Sequence, residues 1–248
     1  FDTIPHDQLI ERLEEDVSDR SLLDLLECFL KQEVVEDGES WQPEQGTPQG
    51  GVISPLLANL YLDALDHLMA ERGYEMVRYA DDFVILCESR EEAEQALELV
   101  EQWTSAHGLR LHPDKTRLVE ASSDQGCTFL GYQFHKGLKE PTPANKQSLK
   151  DEIRARTKRT DGRSLETIIE DVNELSRGWF EYFKHSYWNV FETMDGFIRR
   201  LRAILRWRND LSGSSSRLDS KRWPNAFFAE RGLFSMERAR KALMQSLF

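Results

Sequence analysis

The fold of this 248-residue chain is decided by the stretch Met76-Val77-Arg78-Tyr79-Ala80-Asp81-Asp82-Phe83-Val84-Ile85-Leu86. Apolar, β-favouring residues stand on both sides of two adjacent aspartates, which predicts a β-hairpin with Asp81 and Asp82 in its two-residue turn. Two carboxylates about 4 Å apart repel by roughly 4 kcal/mol at an effective dielectric constant near 20. Solvent around a turn relieves that repulsion, and so does a divalent cation bound between the oxygens. The stretch alone leaves a solvated turn and a metal site as alternatives.

The overall composition is that of a globular protein, with 40% hydrophobic and 31% charged residues. The apolar runs are far shorter than the ~20 residues of a membrane-spanning helix, so no membrane partner is expected. Three cysteines without CxxC spacing indicate reduced thiols, and we therefore expect a cytoplasmic location. The composition does not determine the oligomeric state.

The charge is divided unevenly along the chain. Residues 1–145 carry 11 Lys and Arg against 30 Asp and Glu, and residues 146–248 carry 21 against 14. The net charges of the two parts are therefore −19 and +7. A basic second half favours a polyanionic partner such as nucleic acid, with solvated helix faces as the alternative.

A glycine-rich segment, Gln45 to Pro55, precedes the hairpin. Its three glycines exclude a regular helix or strand interior, and Ser54 followed by Pro55 predicts a helix start. A glycine-rich turn that opens a helix lets an anion approach the backbone. The spacing matches neither the dinucleotide nor the Walker fingerprint, so a phosphate contact and a purely structural turn both remain open.

Residues 1–140 are predicted to form an α+β domain with an antiparallel sheet. Helical spacing predicts a helix over Ser21–Val35, and alternation predicts a short strand at Leu109–Leu111 and another over Thr128–Phe134. One face of this helix is predicted to carry the apolar residues Leu22, Leu25, Leu26, Phe29 and Leu30.

Residues 141–211 are predicted to be all-helical, after a linker at Pro141 and Pro143. One helix is expected to begin at Ser164, a second at Arg177 and a third near Phe197. The polar face of the third helix carries Arg199, Arg200, Arg202, Arg206 and Arg208. With no acid among them these arginines repel one another unless a polyanion is bound, so RNA binding is favoured over a plain surface helix. Residues 212–248 are predicted to be a linker and tail, for which DNA binding is one interpretation.

Five blocks, in order, resemble the serial motifs of reverse transcriptases: Phe1–Asp7, Gly46–Asn59, Tyr79–Asp82, Asp114–Thr116 and Phe129–Tyr132. More narrowly, the chain resembles the bacterial group II intron-encoded reverse transcriptase/maturase. The helix at Arg177-Gly178-Trp179-Phe180 and the arginine-rich helix resemble that family's thumb, its maturase domain. The resemblance implies a right-hand polymerase palm followed by an all-α thumb, and RNA-directed DNA synthesis together with help in intron splicing.

The resemblance also implies roles for individual residues. Asp81 and Asp82 match the paired aspartates that hold two Mg²⁺ ions, and Lys115 matches a position near the triphosphate where it could act as a general acid. Residues implied to contact nucleotide and template are Phe1, Gln49, Gly50 and Gly51. The implied primer grip is Phe129, Leu130, Gly131 and Tyr132, with a core role for Phe129 and Leu130 left open. Implied partners are intron RNA, an RNA template with a DNA primer, and deoxynucleoside triphosphates.

The chain departs from the family in one respect. The family's third catalytic aspartate lies a few residues before the position that Phe1 matches, and its fingers motifs lie further upstream. We therefore expect this chain to be a fragment that starts inside the first palm motif and does not polymerise alone. Alternatives are an RNA-binding maturase without polymerase activity, a retron or CRISPR-associated reverse transcriptase, and an acidic α+β scaffold without a site.

Overall fold

The computed structural model describes residues 3–36, 39–47, 51–158, 162–199, 201–208 and 221–246. Four residues that the sequence places in the site, Phe1, Gln49, Gly50 and Arg200, lie outside the described residues. The chain divides into two compact units, Phe1–Val119 and Glu120–Phe248. The first unit carries 9 Lys and Arg against 27 Asp and Glu, and the second 23 against 17, so the uneven charge follows this division.

The first unit combines helices with two short antiparallel hairpins. Its described elements are α1 (His6–Asp16), α2 (Arg20–Leu30), β1 (Val34–Glu36), β2 (Glu39–Trp41), α3 (Ser54–Glu71), β3 (Glu75–Tyr79), β4 (Asp82–Leu86) and α4 (Arg90–Ala106). Side chains set the helix starts: Asp19 accepts from the backbone N–H of Ser21 and Leu22, and Ser89 accepts from that of Glu92. Strands β1 and β2 pair with each other, and β3 pairs with β4.

Helix α3 runs through the centre of this unit and contributes to two apolar clusters. Its first half packs Leu57 and Tyr61 against α1 and α2, and its second half packs Leu65 and Met69 against α4 and the inner side of the β3–β4 hairpin. The Tyr61 hydroxyl lies 2.6 Å from Gln8 Oε1 and 2.7 Å from the His107 carbonyl oxygen. Burial raises the pKa of Tyr61 to about 12. The hairpin therefore rests on a helix that is itself held in the core.

Helix α2 differs from the sequence prediction in length and in its buried face. It ends at Leu30, and the β-branched Val34 and Val35 begin the strand β1 instead of continuing the helix. The buried side chains are Leu23, Leu26 and Leu30. The exposed ones are Leu22, Leu25 and Phe29, which the sequence had grouped with Leu26 and Leu30. Two adjacent apolar stripes satisfy helical spacing equally well, and packing against α1 and α3 decides which is buried.

The predicted strand at Leu109–Leu111 is also absent. Both leucines lie in an irregular segment and pack, half-buried, against the second apolar cluster of the unit. They pair with no strand among the described residues. Alternation of apolar residues thus identified their burial but not their backbone conformation.

The second unit begins with a three-stranded antiparallel meander and continues as helices. The described elements are β5 (Cys127–Phe129), β6 (Tyr132–His135), β7 (Leu138–Pro141), α5 (Pro143–Arg156), α6 (Leu165–Phe183), α7 (Asn189–Ile198), α8 (Leu201–Arg208), α9 (Asn225–Glu230) and α10 (Met236–Gln245). Pro143 lies in the first turn of α5, where Thr142 accepts from the Asn145 N–H, so the predicted linker is a helix start. The helices predicted at Ser164 and Arg177 are one continuous helix, α6.

The chain after residue 220 packs into the helical core of this unit. Trp223, Phe228 and Met236 are buried against α6, α7 and α8. The Asp195 carboxylate, on α7, accepts from the Met236 N–H at 3.0 Å and from the Ser235 hydroxyl at 2.7 Å, and so caps α10. The described part of the predicted tail, residues 221–246, is therefore part of the helical unit.

The α+β fold class is confirmed, with small antiparallel sheets among helices followed by a helical region. The compact units separate at Val119, before the β5–β7 meander, whereas the sequence drew a boundary at residue 140. The functional domain boundaries at 140 and 211 stay predictions. Within the described ranges no helix is both long enough and apolar enough to cross a membrane.

Candidate functional site

The β3–β4 hairpin exists, but its turn is shifted by one residue from the prediction. Tyr79 pairs with Asp82 in register, so the two-residue turn is Ala80–Asp81 and Asp82 is the first residue of β4. Ala80 has φ +57°, while Asp81 has negative φ. A positive φ at the first turn position matches the right-handed twist of the flanking strands, and this position normally takes glycine. Because side chains alternate along a strand, this register decides which faces the two aspartates occupy.

Both aspartates are exposed at the hairpin tip. Behind the tip, Met76, Phe83 and Ile85 pack against α3 and α4, so the carboxylates stand at the end of a strand pair whose inner side is held by the core. No group of three His, Cys, Asp or Glu side chains suited to a metal ion occurs in the described ranges. Mg²⁺ is commonly held by one or two carboxylates with substrate phosphates and water completing its shell. The pair of aspartates therefore fits such an ion as part of its ligand set.

Arg78, which the sequence did not assign to the site, connects the turn to α3. Its Nε donates to Asp66 Oδ1 at 2.8 Å, and its Nη2 donates to Asp66 Oδ2. Its Nη1 donates to Asn59 Oδ1 at 2.8 Å and to the Ala80 carbonyl oxygen at 2.9 Å. The hydrogen bond to Asp66 is the largest cause of the raised pKa of Arg78, so the guanidinium stays charged. One side chain thus joins two α3 positions to the strained turn residue.

A cleft of about 730 Å³ lies beside this network, between α3 and β3. Its lining residues are Pro55, Asn59, Asp66, Ala70, Tyr74, Met76, Arg78, Tyr79 and Ala80. Asp81 and Asp82 are not among them, so the cleft is beside the tip and does not contain the carboxylates.

The loop before α3 is described only at its two ends. Gly46 takes φ +84°, its N–H donates to the Ile4 carbonyl oxygen at 2.7 Å, and its own carbonyl oxygen lies 2.7 Å from His6 Nε2. At the other end the Gly51 carbonyl oxygen accepts from the Ser54 N–H, where α3 begins, one residue earlier than predicted. Of the predicted nucleotide and template contacts only Gly51 is described, and it is half-buried. Their roles stay predictions.

Lys115 is exposed in the turn Pro113–Lys115 that follows α4. Its N–H donates to the His112 carbonyl oxygen, which closes the turn. The lysine ion pairs of the described residues involve other lysines, and Lys115 is in none of them. The side chain is therefore available to solvent, and its catalytic role stays a prediction.

The predicted primer grip forms the β5–β6 hairpin of the second unit. Leu130 and Gly131 make its two-residue turn, with φ +47° and +76°. The Leu130 carbonyl oxygen accepts from the Tyr182 hydroxyl at 2.9 Å, and the Gly131 carbonyl oxygen accepts from Asn145 Nδ2 at 2.9 Å. Tyr132 is buried, its hydroxyl donates to the Tyr182 carbonyl oxygen, and its ring contacts that of Phe183 edge-on at 5.0 Å. The hairpin is thereby packed on α5 and α6.

The arginine-rich segment is divided between two helices. Arg199 is half-buried at the C-terminal end of α7. Arg202, on α8, donates from Nε to the Trp223 carbonyl oxygen at 2.8 Å and from Nη2 to Asn225 Oδ1 at 2.7 Å, so it holds the chain that leads into α9. Arg206 and Arg208 lie on α8, but their side chains are outside the described part of the structure. The described contacts thus give Arg202 a structural role, and RNA contact at this segment stays a prediction.

Comparison with protein families gives two matches that together cover most of the chain. Residues 1–134 match the family model described as reverse transcriptase (RNA-dependent DNA polymerase). Residues 146–223 match the model described as group II intron, maturase-specific domain.

Individual relatives are similar over parts of the chain. The group II intron-encoded protein LtrA of Lactococcus lactis subsp. cremoris is 39% identical over 71 residues, 29% of this chain and 12% of its own length. The putative COX1/OXI3 intron 2 protein of Saccharomyces cerevisiae is 40% identical over 73 residues, 29% of this chain and 8% of its own length. Protein YkfC of Escherichia coli K12 is 28% identical over 175 residues, 54% of this chain and 44% of its own length. The chain thus spans less than half the length of these relatives.

Proposed function

This chain belongs to the reverse transcriptase family of group II intron-encoded proteins, and we propose that it is the palm and thumb part of an RNA-directed DNA polymerase that also assists splicing of its intron RNA. The observation that carries the proposal is the tip of the β3–β4 hairpin, where Asp81 and Asp82 are exposed at the end of a strand pair packed on α3 and α4. A pure binding protein for a polyanion gains nothing from adjacent exposed carboxylates, because they repel phosphate.

In this proposal Asp81 is the main carboxylate ligand of Mg²⁺ and Asp82 the secondary one. Bound there, Mg²⁺ supplies neutralisation of the triphosphate and activation of the primer hydroxyl. The protein's own contribution is to hold two carboxylates at a fixed place. Lys115 serves as the acid for the leaving pyrophosphate, and the Gly51 segment lies against the incoming nucleotide.

We expect the 248 residues alone not to polymerise, because the family resemblance implies a third catalytic aspartate and the described residues bring no third metal-binding side chain beside Asp81 and Asp82. Primer extension on an RNA template with Mg²⁺ tests this expectation by measuring templated DNA product. Templated product that disappears in Asp81→Ala would overturn it, although it would support the polymerase assignment.

Metal-dependent nucleotide binding tests the polymerase assignment itself. Calorimetric titration of dTTP into the chain, with poly(rA)/oligo(dT) and Mg²⁺ present, should give binding that needs both Mg²⁺ and Asp81. Asp81→Asn should abolish the Mg²⁺-dependent part. Glu101→Gln, which removes an exposed carboxylate on α4, should leave it unchanged. Binding that is indifferent to Asp81→Asn contradicts the assignment.

A second candidate is an RNA-binding maturase in which the polymerase site is not used. Two observations favour it: the match of residues 146–223 to the maturase-specific domain, and the positive balance of the second unit against the strongly negative first unit. Filter binding of structured intron RNA over a salt series should show a log–log slope that falls by about 0.7–0.9 for each phosphate contact removed. Arg199→Glu should reduce the slope, and Arg90→Glu, on α4 of the acidic unit, should not.

A further inference from the structure

We propose that Arg78 is a positioning residue that fixes the Ala80–Asp81 turn, and with it the metal-binding carboxylates, on helix α3. The inference rests on the proposed metal-binding function of the turn. It goes beyond that function because no comparison and no motif assigns a role to Arg78, Asp66 or Asn59.

The turn is strained at Ala80. A left-handed backbone is unfavourable for a residue with a Cβ, and Ala80 adopts it at φ +57°. A two-residue turn of this shape is not self-sustaining with alanine in place of glycine, so contacts from outside the turn must stabilise it. The contact found is the hydrogen bond from Arg78 Nη1 to the Ala80 carbonyl oxygen, at 2.9 Å.

The guanidinium of Arg78, which donates this hydrogen bond, is held rigidly. The Arg78 side chain is only 11% exposed, and its guanidinium is held by Asp66 through two nitrogens and by Asn59 through the third. Asp66 and Asn59 lie about two turns apart on α3, so the plane of the guanidinium is fixed at two points of one helix. The helix is in turn buried through Leu65 and Met69.

A lysine at position 78 could not make these contacts. Lysine keeps the positive charge but has a single nitrogen, so it cannot reach Asp66, Asn59 and the Ala80 carbonyl oxygen at once. Arg78→Lys therefore removes the geometry and preserves the net charge. The conserved charge matters because removal of a nearby positive charge would relieve Coulomb repulsion and by itself strengthen binding of a divalent metal at the turn. A weaker metal affinity in a charge-conserving variant reports positioning.

The test uses the whole 248-residue chain and two readouts. Mn²⁺ affinity is measured from paramagnetic broadening of the Asp81 and Asp82 amide signals, and amide hydrogen exchange is measured at the same residues relative to Val84 in the same strand. For Arg78→Lys we expect exchange at the tip to accelerate about tenfold, as loss of a charge-assisted hydrogen bond implies, and the Mn²⁺ dissociation constant to rise about threefold or more. Arg90→Lys, whose side chain is 81% exposed and paired with Glu94, is the matched control and should change neither.

Asp66→Asn is the second variant. It lies on α3, outside the hairpin, and it tests the proposal if Arg78→Lys does not fold. It should accelerate tip exchange by a smaller factor, and exchange is its only readout because the lost negative charge by itself weakens Mn²⁺ binding. If both variants fold with tip exchange at the value of the unchanged chain, and Arg78→Lys also keeps its Mn²⁺ affinity, the positioning role is wrong. If instead Asp81→Asn leaves Mn²⁺ broadening at the tip intact, the proposed metal function fails, while tip exchange in Arg78→Lys still decides the role of Arg78.

Discussion

The β3–β4 and β5–β6 hairpins both have a strained turn, but one tip is exposed and the other is packed against helices. Each has a two-residue turn with a non-glycine residue at positive φ, Ala80 in the first and Leu130 in the second. In each, a side chain donates to the carbonyl oxygen of that residue, Arg78 in the first and Tyr182 in the second. The first tip leaves its carboxylates in solvent, whereas the second is packed on α5 and α6.

The difference separates a tip that presents side chains from a tip that joins elements. At the second hairpin the ring of Tyr132 is buried and both turn carbonyl oxygens are hydrogen-bonded to helices, so strain there is offset by packing. At the first hairpin the residue before the turn, Tyr79, is 67% exposed, and the turn is held through one charged network. We infer that the first tip is optimised for presentation of Asp81 and Asp82, and the second for stability of its unit.

The largest expected contrast is in the aromatic residues beside the two turns. Tyr132→Ala should destabilise the chain by about 3 kcal/mol, because it removes a buried ring and leaves a cavity against Phe183. Tyr79→Ala, the matched change at the first hairpin, should stay within about 0.5 kcal/mol because its ring is exposed. Urea unfolding monitored by circular dichroism measures both. Equal losses would show that the two tips do not differ in packing.

A methyl group at Gly131 should have the next largest effect. A Cβ there would lie 2.7 Å from Asn145 Nδ2, so Gly131→Ala adds strain at φ +76° and also displaces the donor to the Gly131 carbonyl oxygen. We expect a loss of about 2 kcal/mol in unfolding free energy. Gly137→Ala is the control: it has φ +72° in the β6–β7 turn but nothing within 4 Å, so strain alone should cost about 1 kcal/mol. If Gly131→Ala lost no more unfolding free energy than Gly137→Ala, the hydrogen bond from Asn145 would not anchor the turn.

Alkaline pH should loosen the second hairpin through Tyr132. Burial, and then the neighbouring Tyr182, raise the pKa of Tyr132 above its ordinary value of 10. The stabilisation is therefore complete below pH 10 and is lost as pH rises through the folded-state pKa, because the unfolded chain ionises first. Tyr132→Phe should be less stable by about 1 kcal/mol at pH 8, and the gap should narrow above pH 10 in urea titrations. A stability difference that widens above pH 10 would contradict a raised pKa of Tyr132.

The smallest expected effect is at the first turn. Ala80→Gly removes the left-handed strain but adds conformational freedom to the unfolded chain, so we expect a net gain of about 0.5 kcal/mol. Leu130→Gly should show no such gain because it also removes a half-buried side chain. Thermal unfolding of the two variants measures the contrast. A loss in Ala80→Gly would show that the turn is not strained.

The sequence predicted what local signals encode. The apolar residues around Asp81 and Asp82 gave the β3–β4 hairpin, Ser54 with Pro55 gave the start of α3 to within one residue, and Ser164 gave that of α6. It could not give the exact turn, because alternation is satisfied by either of two adjacent registers and only the pairing of Tyr79 with Asp82 chooses between them.

The structural roles of Arg78 and Arg202 were not predicted because they depend on contacts that are distant in sequence. Arg78 was visible in the motif, but its partners Asn59 and Asp66 lie on another element, and no spacing rule relates them. In the same way Arg202 read as part of a basic face, while its partners lie beyond residue 220. The roles of Asp81 and Asp82 came from the resemblance, since the hairpin pattern by itself allowed a solvated turn.

The most direct test of the central claim, that the Ala80–Asp81 turn presents a metal-binding pair, is a Mn²⁺ titration of the ¹⁵N-labelled chain. We expect the amide signals of Asp81 and Asp82 to broaden at the lowest Mn²⁺ concentration and Asp81→Asn to remove this early broadening. Competition by Mg²⁺ should shift the effect to higher Mn²⁺. Early broadening at the exposed glutamates of α4, with the turn unaffected and Asp81→Asn without consequence, would contradict the claim.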